Sequence, residues 1–153
     1  MNRRNLMLAL AASFAAAMCF GQGLNIGTWK LNEAKSHFVP GAPKNTMVVY
    51  EAVGDNVKVT MEGIDKDGKP THTEWTGKFD GKEYPVSGNP AIDSRSYTKV
   101  DDHTLTTTNK KNGKEVLSAR IVISPDGKTR TAHVTETDSA GKKHTYTAVY
   151  DKQ

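Results

Sequence analysis

Cysteine is nearly missing: Cys19 is the only one in 153 residues. It lies in the apolar segment at the start of the chain. The remainder therefore has no disulfide, no thiol nucleophile and no thiolate metal ligand. Aromatic residues make up only 7% of the chain, so no aromatic platform is evident. Gly-x-Ser-x-Gly, a phosphate-cradling glycine loop and His-Glu-x-x-His are all lacking, which removes the common local signatures of hydrolases, nucleotide binders and zinc proteases. No apolar stripe of helical period follows residue 25. Neither sign of charge dominates: 21 Lys and Arg are scattered among 17 Asp and Glu. Such a surface offers no basic run, and no nucleic-acid partner is expected.

What is present begins with an export signal. Arg3 and Arg4 precede a run of apolar and small residues from Leu6 to Phe20, with Cys19 and Gly21 placed for a cut before Gln22. The run is shorter than the roughly 20 residues of a spanning helix, so no stable membrane insertion is expected. Residues 1–21 are read as a signal peptide and 22–153 as one exported domain, periplasmic or extracellular. The cut removes two arginines and no acid, leaving 19 basic against 17 acidic residues and a charge of about +2. About 130 residues suffice for a single core that buries roughly two-thirds of the unfolded surface.

Glycines punctuate the rest in turn-like settings: Gly54, Gly68, Gly81, Gly113, Gly127 and Gly141, spaced by 14, 13, 32, 14 and 14. Asp-Gly and Asn-Gly suit tight hairpins because glycine accepts positive φ without a clash. The intervening runs are rich in Thr, Val, Tyr and Ile and alternate with period 2. Val57, Val59 and Met61 face one way; Leu117, Ala119, Ile121 and Ile123 share a face; Trp75, Gly77 and Phe79 oppose Glu74, Thr76 and Lys78. Strands are predicted near 26–31, 44–53, 56–63, 70–79, 92–100, 103–110, 115–124, 128–137 and 143–151, with a short extra one near 82–86. Short connections make neighbours antiparallel. The expectation is an all-β, antiparallel up-and-down meander of about 8–10 strands, curled into a closed or nearly closed barrel. A two-sheet sandwich or an open bent sheet would carry the same pattern.

Gly27-Thr28-Trp29 on the first strand of such a meander resembles the calycins, the lipocalins and intracellular fatty-acid-binding proteins. The resemblance implies that Gly27 and Trp29 form a structural plug at the closed end of a calycin-like barrel. It also implies a lysine or arginine over the tryptophan, for which Lys143 and Lys152 are the candidates. The set Gly27-Thr28-Trp29-Lys30-Leu31-Asn32, Ala34-Lys35-Ser36, Tyr50-Glu51 and Asp80 to Pro90 is similar to that of small exported bacterial proteins. That likeness brings no catalytic residue and no ligand with it.

Arg95 and Tyr97 share a strand face, and the frame Arg-x-Tyr is similar to the carboxylate clamp of fatty-acid-binding proteins. If both lie inside, an arginine fork and a phenol hold a carboxylate well; the other reading is an exposed arginine lying over a tyrosine ring. Arg120 faces away from Leu117 and Ile121 and is read as solvated. Residues 92–110 are threonine-rich, suited either to a wet, polar-lined cavity or to an exposed flank. His72 and Glu74, His144 and Tyr146, and His133 fall short of the converging set zinc requires. Asp65-Lys66-Asp67-Gly68 lacks the rest of a calcium loop and is read as a turn. No metal and no cofactor is therefore expected. Carboxylates sit mostly at turns, where water screens them, so catalysis is not expected either.

The leading expectation is an exported non-enzymatic binding module holding a small apolar or amphipathic molecule. Its lining would be Tyr50, Met61, Trp75, Phe79, Tyr97 and Tyr146, with Arg95 as polar anchor. The alternative is a cell-envelope or protein-interaction module, its barrel filled by its own side chains and its function on loop 80–91.

Overall fold

Alternating residues build ten antiparallel strands in the computed structural model, which describes residues 23–153. The expected signal peptide lies outside the described residues. The strands are β1 (Gly27–Leu31), β2 (Lys44–Val53), β3 (Asn56–Ile64), β4 (Pro70–Gly77), β5 (Asp80–Ser87), β6 (Ser94–Asp101), β7 (Thr104–Lys111), β8 (Lys114–Ile123), β9 (Thr129–Thr137) and β10 (Lys143–Lys152). Each pairs with its chain neighbour, and β1 closes the ring onto β10 through Trp29–Lys152, Lys30–Asp151 and Leu31–Tyr150. Closure leaves no unpaired sheet edge. The closed barrel excludes both the sandwich and the open sheet.

One end of the barrel gathers the start of β1, the finish of β10 and the turns at 54–55, 78–79, 102–103 and 124–128. This is the Trp29 end. The opposite end, the mouth, carries the connections 32–43, 65–69, 88–93, 112–113 and 138–142. At 65–69 the Asp65 carboxylate accepts the N–H groups of Asp67 and Lys69, giving the expected turn. Within 32–43 a 3-10 turn spans Glu33–Lys35. Beyond it His37 pairs with Thr147, and Phe38 packs on Tyr146 at the rim, ring centroids 5.4 Å apart.

Residues 80–91 correct the expectation of an irregular loop: all but 88–91 belong to β5. Tyr84 and Val86 alternate toward the core, and Val86 N–H bonds Asp93 O on the β6 side. Alternation then aims the Pro85 nitrogen toward β4. There the ladder has already ended, since β4 and β5 pair only at Glu74–Ser87 and Trp75–Val86. A proline that lacks its N–H costs nothing at such a place. The true break is residues 88–93.

Candidate functional site

Trp29 is wholly buried, and its indole N–H donates to Asn25 O at 2.8 Å. The lysine over its ring is Lys152, with Nζ 5.1 Å from the centroid and also bonded to Leu24 O. Gly27 makes this possible. Its φ is +130°, and a Cβ there would meet Lys152 Cε at 2.9 Å. The glycine two residues before the tryptophan thus clears the path of the lysine stem, and the sequence frame has a steric cause. The arrangement is that of a plug: hydrogen-bonded, capped by a cation and closed to solvent.

Above the plug lies an aromatic cluster. Trp75 and Tyr97 meet edge to face at 4.8 Å, Tyr97 and Phe79 are 5.5 Å apart, and Tyr50 touches both Phe79 and Tyr97. Phe79 is not on a strand as expected; it sits in the β4–β5 turn and folds its ring over the cluster. Gly77 gives the room, because a Cβ there would lie 2.6 Å from Tyr84 and 2.7 Å from Trp75. Leu105, Ile121 and Ile123 complete this half, all buried.

Arg95 points inward, with only 4% of its surface exposed. This overturns the alternative of an exposed arginine lying over a tyrosine ring. Its Nε donates to Asn109 Oδ1 at 2.6 Å, and Nη1 approaches Met61 Sδ at 3.3 Å. Its guanidinium stands 5.9 Å from the Tyr97 ring centroid. Trp75 Nε1 donates to Arg95 O at 2.9 Å, tying the anchor strand to the aromatic cluster. The walls nearby are polar: Thr73, Thr107 and Asn109 are buried on the core side. Toward the mouth, Leu117, Ala119, Glu136 and Tyr146 are only half-buried although their alternation turns them inward. Burial raises the Tyr146 phenol above its ordinary range, reinforced by the nearby Glu136 carboxylate. The threonine-rich strands β6 and β7 thus do both: Arg95, Thr104, Thr107 and Asn109 are buried, while Thr98 to Asp101 form an exposed flank.

Sequence reasoning missed Arg130. It is buried beneath the cluster, where Nη2 donates to Tyr50 Oη at 2.7 Å. Its guanidinium lies 5.3 Å and 5.1 Å from the ring centroids of Tyr50 and Tyr150. Burial pushes the Tyr50 phenol well above its ordinary value, opposed by the Arg130 charge. The missed signal was alternation: Arg130 shares a face with the inward Ala132 and Val134. Three buried side-chain atoms lack a partner among the described residues: Asn25 Oδ1, Thr107 Oγ1 and Arg130 Nε.

The histidines do not converge. His72 lies outside, held by Glu62 at 2.5 Å and Glu74 at 3.3 Å; His133 is exposed; His144 bonds Asp138 at the rim. Among the described residues no three metal-ligating side chains gather. Arg120 is exposed, as alternation implied. A shallow depression of about 460 Å³ between Lys30–Ala34, Asp151 and Gln153 involves none of the candidate residues. Among the described residues no helix is long and apolar enough to cross a membrane.

No family model and no curated protein matches the chain. Solved structures do. A redesigned β-barrel, mFAP1 bound to DFHBI, is 16% identical with a TM-score of 0.47, over 84% of this chain and 95% of that one. EF1p2_mFAP2b bound to DFHBI is 12% identical with a TM-score of 0.49, over 85% of this chain and 94% of that one. Lobster apocrustacyanin A1 is 15% identical with a TM-score of 0.42, over 85% of this chain and 61% of that one. These likenesses concern strand arrangement and assign nothing to this interior.

Proposed function

We propose that the chain is an exported, non-enzymatic binding module whose barrel interior holds a small amphipathic molecule. The observation that carries this is Arg95: a buried guanidinium whose acceptors are a neutral amide oxygen and a thioether sulfur. A buried cation is costly unless an anion or strong acceptor reaches it. A carboxylate or similar group supplied by a ligand meets that need, and an arginine fork is suited to it. Met61, Tyr97 and the half-buried Leu117 and Tyr146 give the apolar surface for the rest of the molecule. Tyr50, Trp75 and Phe79 complete the aromatic lining, and Gly27 with Trp29 is structural. Export follows from the Arg3-Arg4 and Leu6–Phe20 pattern.

Native mass spectrometry of protein purified from its own cell envelope tests the reading. A co-purified anionic amphiphile, lost on Arg95→Met, is the expected result. Uniformly ligand-free protein that also binds no added amphiphile would overturn it, and would leave the filled barrel with function on the 88–93 loop.

A further inference from the structure

The interior holds not one unpaired cation but two. Among the described residues no carboxylate lies within ion-pair distance of Arg95 or Arg130, and residues 1–22 contain no Asp or Glu. The chain does pair half-buried lysines: Lys44 with Glu33, Lys58 with Glu74, Lys111 with Asp93. The two cations for which pairing matters most are those without it.

Arg130 is 4% exposed. Tyr50 and Tyr150 present their faces to it, which answers its flat surfaces by cation–π attraction. A guanidinium, however, carries five N–H donors around its edge. Tyr50 Oη takes one, and Nε has no acceptor. Thr107 Oγ1, on the core side of β7, is also unpartnered among the described residues.

The two arginines enter from opposite ends. Arg95 is the second residue of β6, which starts at the mouth, whereas Arg130 is the second residue of β9, which starts at the Trp29 end. Between them stand Tyr97 beside Arg95 and Tyr50 beside Arg130, their ring centroids 6.2 Å apart. A ligand with a single anionic head satisfies one guanidinium and leaves the other bare.

Granting the reading of the interior as a ligand chamber, we infer that the ligand carries two separated anionic groups, one taken by Arg95 with Asn109 and the other by Arg130 with Tyr50. The spacer between them is apolar, matching the aromatic surface it would lie against. A linear α,ω-dicarboxylate is the simplest member of this class.

Calorimetric titration of the purified, ligand-stripped protein with linear α,ω-dicarboxylates of increasing length, each beside its equal-length monocarboxylate, tests the inference. One length is expected to bind at least tenfold tighter than its monocarboxylate. Arg95→Met and Arg130→Met should each reduce that dicarboxylate to the affinity of the monocarboxylate, while Arg130→Lys, which keeps the charge, retains part of the preference. Equal affinities for the two series at every length would overturn the two-anion inference and leave the single-anchor reading standing. A preference that survives Arg130→Met would overturn it too. Failure of both series to bind would remove the chamber itself. Should Arg130→Met not fold, the parent's length profile and Arg130→Lys decide.

Discussion

The two halves of the barrel interior differ in how polar they are. The half toward the Trp29 end buries Trp29, Tyr50, Trp75, Leu105, Ile121 and Ile123, with ring pairs at 4.8 to 6.4 Å, and encloses its one guanidinium, Arg130, beside the rings of Tyr50 and Tyr150. The half toward the mouth turns Thr73, Arg95, Thr107 and Asn109 inward and leaves Leu117, Ala119 and Tyr146 half-buried. The first half gains stability from apolar area removed from water. The second gives up that gain by burying a guanidinium and hydroxyls, at a cost. On the proposed reading, the more polar half is where a ligand is held.

The contrast can be broken most forcefully at the plug. Trp29→Ala should lower unfolding free energy by about 3–5 kcal/mol, as for a large core aromatic; urea denaturation measures it. A variant that unfolds like the parent but loses a bound small molecule would reverse its assignment. Gly77→Ala comes next. Its Cβ must displace Tyr84 or Trp75, and a loss of about 1–3 kcal/mol in the same assay is expected from overpacking.

Arg95→Met should act in the reverse sense, raising stability by about 1 kcal/mol because an unpaired buried charge is replaced by an apolar side chain. The same variant should lose the amphiphile in native mass spectrometry. Loss of stability without loss of ligand would make Arg95 part of the core and erase the distinction between halves.

The smallest effect lies outside both. His72 accepts support from Glu62 first and Glu74 second, which raises its pKa above 6.5 in the folded protein. A raised folded pKa contributes stability that is complete below 6.5 and is lost as pH rises through the folded value. The urea midpoint should therefore drift down slightly over that window, and His72→Gln should flatten the drift. No change in ligand binding should accompany it, since the ring lies on the outer face.

Much of the fold was legible because period-2 alternation and glycine spacing are local signals. Nine predicted strands lie within a residue or two of observed ones, and the short strand near 82–86 is the core of β5. The loop reading of 80–91 failed because Pro85 and the glycines at 81 and 88 look like breakers. Their tolerance depends on where the neighbouring ladder ends, which is not written locally. The site was only half legible. Arg95 and Tyr97 stood out as a pair, but whether they faced in or out depended on which side of β6 met the core. Arg130 looks like any surface arginine until β2 and β10 bring Tyr50 and Tyr150 to its two faces.

By itself the sequence determined the all-β class, the antiparallel order and most strand limits, because each rests on spacing between near neighbours; the structural character of Gly27 and Trp29 was what the resemblance to the calycins implied. Tertiary structure alone decided that the ring closes through β1 and β10, that Lys152 is the residue over Trp29, and that two guanidiniums share one interior with no carboxylate of the described residues within ion-pair distance. Those outcomes join residues as far apart as 50 and 130. Only closure of the barrel brings such positions together, and closure is a property of the whole sheet.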